Sequence, residues 1–195
     1  MRTVPVEVVP YSPAWAAGFE RVAADLRVGL QGVPSAQVEH VGSTAVPGLA
    51  AKPILDIDVL VDGEQMTAAV AALESLGYVH RGDLGVTDRE AFAAPDDDPR
   101  RHVYVCRRGT LHVRNHLAVR DVLRARPDLR DEYGAVKLAL AADPEMDIDT
   151  YIARKSDVLQ KVLAEADLTA DERRQILRLN DPSAPVTGEV GPGAG

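Results

Sequence analysis

Cysteine, long apolar runs and positive charge are all scarce in this chain of 195 residues. The single cysteine, Cys106, excludes an internal disulfide and a cysteine-based zinc cluster, and we interpret it as a small buried hydrophobic residue on a strand. No apolar run approaches the length that spans a bilayer, and the first residues lack the apolar core of a signal peptide. We therefore expect a cytoplasmic protein without membrane contact. The formal net charge of −8 disfavours broad nucleic-acid binding.

The residues that are present suit one sizeable globular domain, because 46% are hydrophobic and 27% are charged. Strand and helix patterns alternate in the first part of the chain, and the second part is helical. We predict an α+β fold with a small mixed β-sheet over about 5–115, flanking helices, and a helical portion over about 116–166. A short helical extension over 167–180 and a disordered tail over 181–195, rich in proline, glycine and alanine, follow.

The periodicity of apolar residues predicts the individual elements. A first helix begins at Ser12-Pro13 and carries an apolar stripe from Trp15 to Leu30. The segment 83–101 has the composition of a mobile loop, and its acidic run 96–98 is interpreted as solvated rather than as a lid. The predicted strands are 6–9, 36–41, 54–61, 78–80, 102–106 and 111–114, and the further predicted helices are 66–76, 116–125, 128–141, 148–166 and 171–179, the last capped by Thr169.

The most informative segment joins a small-residue turn, Gly42-Ser43, to an apolar strand that holds Asp56 and Asp58. Residues two apart on a strand point to the same face, so both carboxylates leave one face a few ångströms apart. Such a pair repels and is rare inside an apolar strand, so we expect a cation between the acids. A hard divalent metal brought by a phosphate substrate fits best. The alternative, a surface feature, is disfavoured because the strand is apolar on both sides of the acids.

The turn is expected to bind phosphate. It follows the strand 36–41, and the carboxyl ends of strands are where open α/β sheets bind ligands. Backbone N–H groups at Gly42 and the hydroxyls of Ser43 and Thr44 can hold phosphate oxygens there. Lys52, four residues before Asp56, is either a phosphate contact or a solvated loop lysine.

The stretch Glu39–Asp58 resembles the GrpB family, and so do Arg101–Cys106, Asn115–Arg124 and Tyr151–Lys155. The similarity extends over about residues 5–166. It implies membership of the nucleotidyltransferase superfamily, in which two strand acids hold Mg²⁺ (or Mn²⁺) around a nucleoside triphosphate. The resemblance further implies that Asp56, Asp58 and Lys52 are catalytic, that an acceptor attacks the α-phosphorus, and that pyrophosphate leaves.

A third carboxylate, on a later strand, usually completes the metal site in that superfamily. The later strand predicted over Thr110–Arg114 carries His112 and Arg114 on one face and no acid. Either His112 or an acid elsewhere takes this role, or the protein binds nucleotide without transferring it. The spare acids that the sequence offers are Glu39, Asp83, Asp88 and Glu90.

Several further side chains are candidates for contacting the substrate or supporting the site. His40 fits a core residue that orients the turn, and Arg120 fits an ion pair with an acid of a neighbouring helix equally well. His102, His112 and His116 could together form a transition-metal cluster, but we expect no pair of histidines with tight metal-ligand spacing on one helix. Val119 and Val122 replace aromatic residues of the family. The complete set of candidates is His40, His102, His112, Arg114, His116, Arg120 and Lys155.

The leading hypothesis is a metal-dependent nucleotidyltransferase. It would transfer a nucleotidyl group from a nucleoside triphosphate, with ATP as the first candidate, to a small-molecule acceptor. One alternative is an ATP-dependent ligase that works through an adenylated carboxylate. A second alternative is a catalytically silent nucleotide-binding module, and a hydrolase is disfavoured because no base is well placed. We expect a monomer or a homodimer.

Overall fold

The computed structural model describes residues 7–143 and 158–180. These residues form five strands and six α-helices, joined by turns and loops. The strands are β1 (Gln37–Val41), β2 (Leu55–Val61), β3 (Val79–His80), β4 (Arg89–Ala93) and β5 (Arg101–Arg107). The helices are α1 (Ala14–Gly29), α2 (Met66–Ser75), α3 (Leu111–Ala125), α4 (Pro127–Ala141), α5 (158–164 as far as described) and α6 (Ala170–Asn180).

The strands form one mixed sheet in the order β1-β2-β5-β4-β3. Only β2 and β5 run parallel, and the other neighbours are antiparallel. The predicted α+β fold, with a small mixed sheet followed by helices, is confirmed.

One face of the sheet is apolar and lies under α1 and α2. Ile57 and Val59 of β2 and Val103 of β5 pack there against Phe19 and Leu26 of α1. The predicted apolar stripe of α1 is confirmed, since its members from Phe19 to Leu30 are buried. The main core of the protein therefore lies on this side.

The opposite face is polar and lies under α3. Residues that pair across neighbouring strands point to the same side of a sheet, and Asp58 pairs with Glu39 of β1 and with Tyr104 of β5. Asp56 pairs with His102 in the same way. A small apolar cluster that includes Cys106 lies farther along this face, which confirms the interpretation of the buried cysteine.

The strand predicted over 111–114 is wrong, because these residues form the first turn of α3. The Arg114 N–H donates to the Thr110 carbonyl at 3.0 Å, as in a helix. The glycine turn at Gly109, with φ +79°, ends β5 and leads the chain onto the face of the sheet instead of back along its edge. Alternating Leu111 and Val113 resemble a strand in sequence, but Val113 belongs to α3 and packs against Leu60 and Cys106 of the sheet.

Two smaller predictions also differ from the structure. The segment predicted as a loop over 83–101 contains β4, which completes the sheet between β5 and β3. In place of the predicted strand 6–9, the described residues there form one bridge, between Val9 and Ala51.

The C-terminal helices follow the predicted boundaries where the structure describes them. Thr169 and Glu172 cap α6 reciprocally, since each backbone N–H donates to the other side chain, at 2.8 and 3.2 Å. The predicted cap is confirmed. The first part of the predicted helix 148–166, including Lys155, and the tail 181–195 lie outside the described residues. Within the described part of the chain, no helix is both long and apolar enough to cross a membrane.

Candidate active site

The turn after β1 packs directly onto Asp56. Gly42 has φ +69°, and a Cβ added there would overlap the Asp56 carboxylate. Glycine is therefore required at this position both for its conformation and for the close approach of the acid. Residues Ser43–Ala45 then form a short 3₁₀ turn that borders the same acid.

Contacts with His40 and Arg124 hold the turn in place. The His40 ring Nε2 lies 3.0 Å from Thr44 Oγ1, and the ring stacks on Phe19 at 4.5 Å between centroids. Arg124 of α3 donates two hydrogen bonds to the Ala45 carbonyl, at 3.0 and 2.7 Å. Burial, with the nearby charges of Arg124 and Arg120, lowers the pKa of His40 to about 4. The structure thus places His40 in the core behind the turn, the position that an orienting core residue requires.

A cavity of about 200 Å³ opens beside the turn. It brings together residues from the turn, from both parallel strands and from α4. Its polar lining consists of Ser43, Thr44, Lys52, Asp56, His102 and Lys137. Two lysines thus face the same space as the first acid of the Asp-x-Asp pair.

Lys137 is the member of this lining that the sequence analysis missed. Its side chain is buried, and its Nζ lies 4.7 Å from the centroid of the Tyr133 ring, close enough for a cation–π contact. The sequence pattern that could have indicated its burial is helical spacing. Leu129, Tyr133 and Lys137 lie four residues apart and share one buried side of α4.

Asp56 is the acid that reaches the cavity, and 37% of its side chain is exposed. His102, its neighbour on β5, places Nδ1 3.0 Å from Asp56 Oδ1. This hydrogen bond and the charge of Asp56 raise the pKa of His102 against the opposing effect of burial. Burial lowers the pKa of Lys52, and the charge of Asp56 partly offsets it.

Asp58 leaves the same face of the sheet, as predicted, but it does not line the cavity. Its side chain is 0% exposed because α3 covers it. Oδ2 lies 2.7 Å from His116 Nδ1, whereas Oδ1 is buried without a hydrogen-bond partner among the described residues. Burial opposes the charged form of His116, but the charge and hydrogen bond of Asp58 outweigh it and raise the pKa of the imidazole. A buried carboxylate oxygen in this state is a natural ligand for a cation.

No third carboxylate completes the pair within the described residues. The strand next to β2 is β5, and on the polar face it presents His102 and Tyr104 beside the two acids. The spare acids are engaged elsewhere: Glu39 with Arg120 at 2.6 Å, Glu90 with His80 at 2.6 Å, Asp88 with Arg107 at 3.5 Å, and Asp83 with the Gly85 N–H at 2.8 Å.

The expectation of no closely spaced histidine pair is wrong, because it depended on the incorrect strand. His112 and His116 both lie on α3, four residues apart, with ring centroids 6.3 Å apart. Even so, the described ranges contain no group of three or more His, Cys, Asp or Glu side chains arranged to hold a metal. A cation at Asp56 and Asp58 would therefore depend on ligands that the substrate brings.

The remaining candidates lie around the site rather than in the cavity. Arg120 is an ion-pair residue, as one alternative predicted, but its partners are Glu39 of β1 and Asp121 of its own helix. Arg114 is paired with Glu172 of α6 and lines a separate groove. Val119 and Val122 pack against the apolar cluster beneath α4.

Comparison with known proteins identifies the family and the fold. The family described as GrpB protein matches residues 5–165. A UPF0157 protein of Halalkalibacterium halodurans is 38% identical over 166 residues, covering 84% of this chain and 84% of that protein. The crystal structure of the conserved protein GrpB from Enterococcus faecalis superposes with a TM-score of 0.68 at 34% identity, covering 82% of this chain and 98% of that one.

The fold extends to a more distant enzyme. Cid1, in a complex with its short product ApU, superposes with a TM-score of 0.50 at 16% identity, over 66% of this chain and 41% of that one. Cid1 is a nucleotidyltransferase, and at this identity the likeness concerns the fold alone.

Proposed function

The chain belongs to the GrpB protein family and has a nucleotidyltransferase-like fold, and from this premise we propose that it is a metal-dependent nucleotidyltransferase. Its substrates are a nucleoside triphosphate, for which ATP is the first candidate, and a small-molecule acceptor. The observation that carries the proposal is the cavity beside the turn, where the Asp56 carboxylate, the side chains of Lys52 and Lys137 and two hydroxyl groups meet.

The lining suits a chain of phosphates. Two lysines in the lining of one cavity of an acidic protein favour a polyanion, and Ser43 and Thr44 add hydroxyl groups to that lining. The volume of about 200 Å³ is below the roughly 300–1,000 Å³ of pockets that enclose a drug-sized ligand. The cavity therefore accommodates the phosphates, and the nucleoside extends beyond it.

Asp56 is the acid placed to meet a divalent cation that arrives with these phosphates, because it lines the cavity and Gly42 leaves it unobstructed by a Cβ. Asp58 Oδ1 is buried under α3 without a hydrogen-bond partner among the described side chains and backbone groups, and it would become a second ligand only on movement of that helix. A bound Mg²⁺ or Mn²⁺ would neutralise charge on the phosphates. Lys52 and Lys137 would hold the β- and γ-phosphates, and His102 would fix the orientation of the Asp56 carboxylate through its hydrogen bond.

The reaction needs positioning and charge neutralisation more than covalent chemistry. A hydroxyl or amine of the acceptor forms a bond to the α-phosphorus and releases its proton to solvent. The bond between the α-phosphorus and the bridging oxygen breaks, and pyrophosphate leaves with that oxygen. The two lysines stabilise the charge that develops on the leaving group.

One observation favours a second candidate function, a nucleotide-binding module without turnover. Asp58 is completely covered by α3 and is engaged by His116, so one of the two expected metal ligands is not open to the cavity. In that case ATP binds and no acceptor is modified.

The test is incubation with ATP, Mg²⁺ and a panel of hydroxyl, amine and carboxylate acceptors, with pyrophosphate release and product mass as readouts. A nucleotidylated product supports a transferase, an amide supports the ligase alternative, and metal-dependent ATP binding without pyrophosphate supports the silent module.

Asp56→Asn should lower nucleotide affinity or turnover at least about 100-fold, since it removes a charged ligand. The matched control is Asp97→Asn in the exposed loop. Equal ATP binding by Asp56→Asn and the wild type would contradict the proposal.

A further inference from the structure

We propose that the protein has a second small-molecule site, which binds a small organic acid with an apolar body through the guanidinium of Arg124. The site is a cavity of about 180 Å³ between α1 and the turn after β1. The inference does not depend on the proposed nucleotide-binding function, since the two cavities share only Thr44 in their linings.

The first step is the charge of Arg124, which lines this cavity. Its Nε and Nη2 donate to the Ala45 carbonyl, whereas Nη1 has no hydrogen-bond partner among the described residues. The other arginines of α3 are each paired with a carboxylate, as Arg120 is with Glu39 at 2.6 Å. Burial and the charge of Arg120 lower the pKa of Arg124. An anion in the cavity would therefore stabilise this guanidinium.

The second step is that the other polar groups of the lining leave this positive charge uncompensated. His40 is neutral, because its pKa is lowered to about 4, and its Nε2 is engaged with Thr44. Glu20, at the exposed side of the cavity, forms an ion pair with Arg27 at 3.4 Å. The Tyr11 hydroxyl makes no hydrogen bond to the residues that the structure describes, so it is a second donor beside the guanidinium.

The third step is the shape and polarity of the walls. They are formed largely by apolar side chains, those of Ala16, Phe19, Ala45 and Pro47. The volume of about 180 Å³ limits the ligand to a small molecule. A guanidinium binds carboxylate and phosphate alike, but one guanidinium and one hydroxyl between apolar walls suit a monoanion with an apolar body. A carboxylate on a small hydrocarbon has this composition.

The experiment is a nuclear magnetic resonance titration of the full chain with cyclohexanecarboxylate, without nucleotide. Trp15, the single tryptophan of the chain, packs on the Tyr11 ring at 5.5 Å between centroids. Its indole N–H signal should therefore shift in a saturable way, together with the Thr44 amide. The Val79 amide on β3 should not shift. Cyclohexanecarboxamide, the uncharged analogue, should bind at least about 10-fold more weakly because it loses the charge-assisted hydrogen bond.

Two variants locate the ligand. Ala16→Leu fills the cavity from an exposed position of α1 and should weaken binding of the acid at least about 10-fold. The matched control, Ala17→Leu on the same helix, lies outside the lining and should bind as the wild type does. Arg124→Gln can still donate to the Ala45 carbonyl but carries no charge, so it should bind the acid and the amide equally.

The inference is overturned if the wild type shows no saturable shift or binds the amide as tightly as the acid. It is also overturned if folded Ala16→Leu binds as well as Ala17→Leu. If Ala16→Leu does not fold, the loss of preference for the acid in Arg124→Gln decides the question. Inorganic phosphate that displaces the acid at equal concentration would refute the proposed ligand class. Because no nucleotide is present, none of these outcomes bears on the proposed nucleotidyltransferase activity.

Discussion

The two faces of the sheet differ in composition although the same strands build them. Under α1 and α2 the strand side chains are apolar and tightly buried, as at Ile57 and Val59. Under α3 the alternate side chains of these strands are acids and histidines, as at Asp56 and His102. Because successive residues of a strand point to opposite faces, one seven-residue strand, β2, supplies both the core and the site. The residues that stabilise the fold and the residues of the candidate site are therefore separated by the pleat of the sheet and not by distance along the chain.

Histidine shows the contrast most directly. On the apolar face, burial lowers the pKa of His40 to about 4, so the folded protein keeps this ring neutral. On the polar face, the charge and hydrogen bond of Asp58 outweigh burial and raise the pKa of His116. The two histidines are therefore expected to give opposite dependences of stability on pH.

The largest expected effect comes from Ile57→Ala, which opens a cavity in the apolar face next to Asp56. Ile57 is completely buried, and truncation of such a residue costs about 2–5 kcal/mol. We expect a loss of about 3 kcal/mol in the free energy of unfolding, measured by urea denaturation, with no change in the ATP affinity of the folded protein.

The control for this variant is Val79→Ala, at an exposed position of β3, which should change stability by less than about 0.5 kcal/mol. If Ile57→Ala weakened ATP binding as strongly as it weakened folding, the two faces would not be separable in the way proposed.

The next effect is acid destabilisation through His40, which reaches a similar size only at the acid end of the pH range. The unfolded chain takes up a proton near pH 6.5 that the folded protein excludes until about pH 4. Stability is therefore lost as the pH falls through this window, by about 3 kcal/mol in total. His40→Gln removes this titration, so the difference in unfolding free energy between variant and wild type should change by that amount between pH 7 and pH 4. Parallel pH profiles for the two proteins would contradict the prediction, because they would show that folding does not change the pKa of His40.

The smallest effect belongs to His116 and has the opposite sign. Its pKa is raised in the folded protein, so the stabilisation by its pair with Asp58 is complete below about pH 6.5 and is lost as the pH rises through the folded pKa. With metal removed by a chelator, wild-type stability relative to His116→Asn should decrease from pH 5.5 to pH 8. A difference that grows with rising pH would contradict the assigned pairing.

Local patterns in the sequence were sufficient for much of the fold. The apolar stripe of α1 and the Thr169 cap of α6 follow from spacing within a single turn or helix, and the common face of Asp56 and Asp58 follows from strand periodicity. Periodicity failed at 111–114, because Leu111 and Val113 fit a strand and a helix equally well over so few residues. The error had a consequence for the site, since it left His112 outside the predicted helix that carries His116.

What the sequence by itself determined is the acid pair, the glycine turn before it and the family to which they belong, because all of these lie within one short segment. Only the tertiary structure decided which acid faces the cavity, which imidazole meets each carboxylate, and that Lys137 of α4 joins the lining. The physical reason is that these contacts join residues far apart in the chain, such as Asp58 and His116. They depend on the register of β2 against β5 and on the path of α3 across the sheet, which the local pattern of apolar and polar residues does not specify.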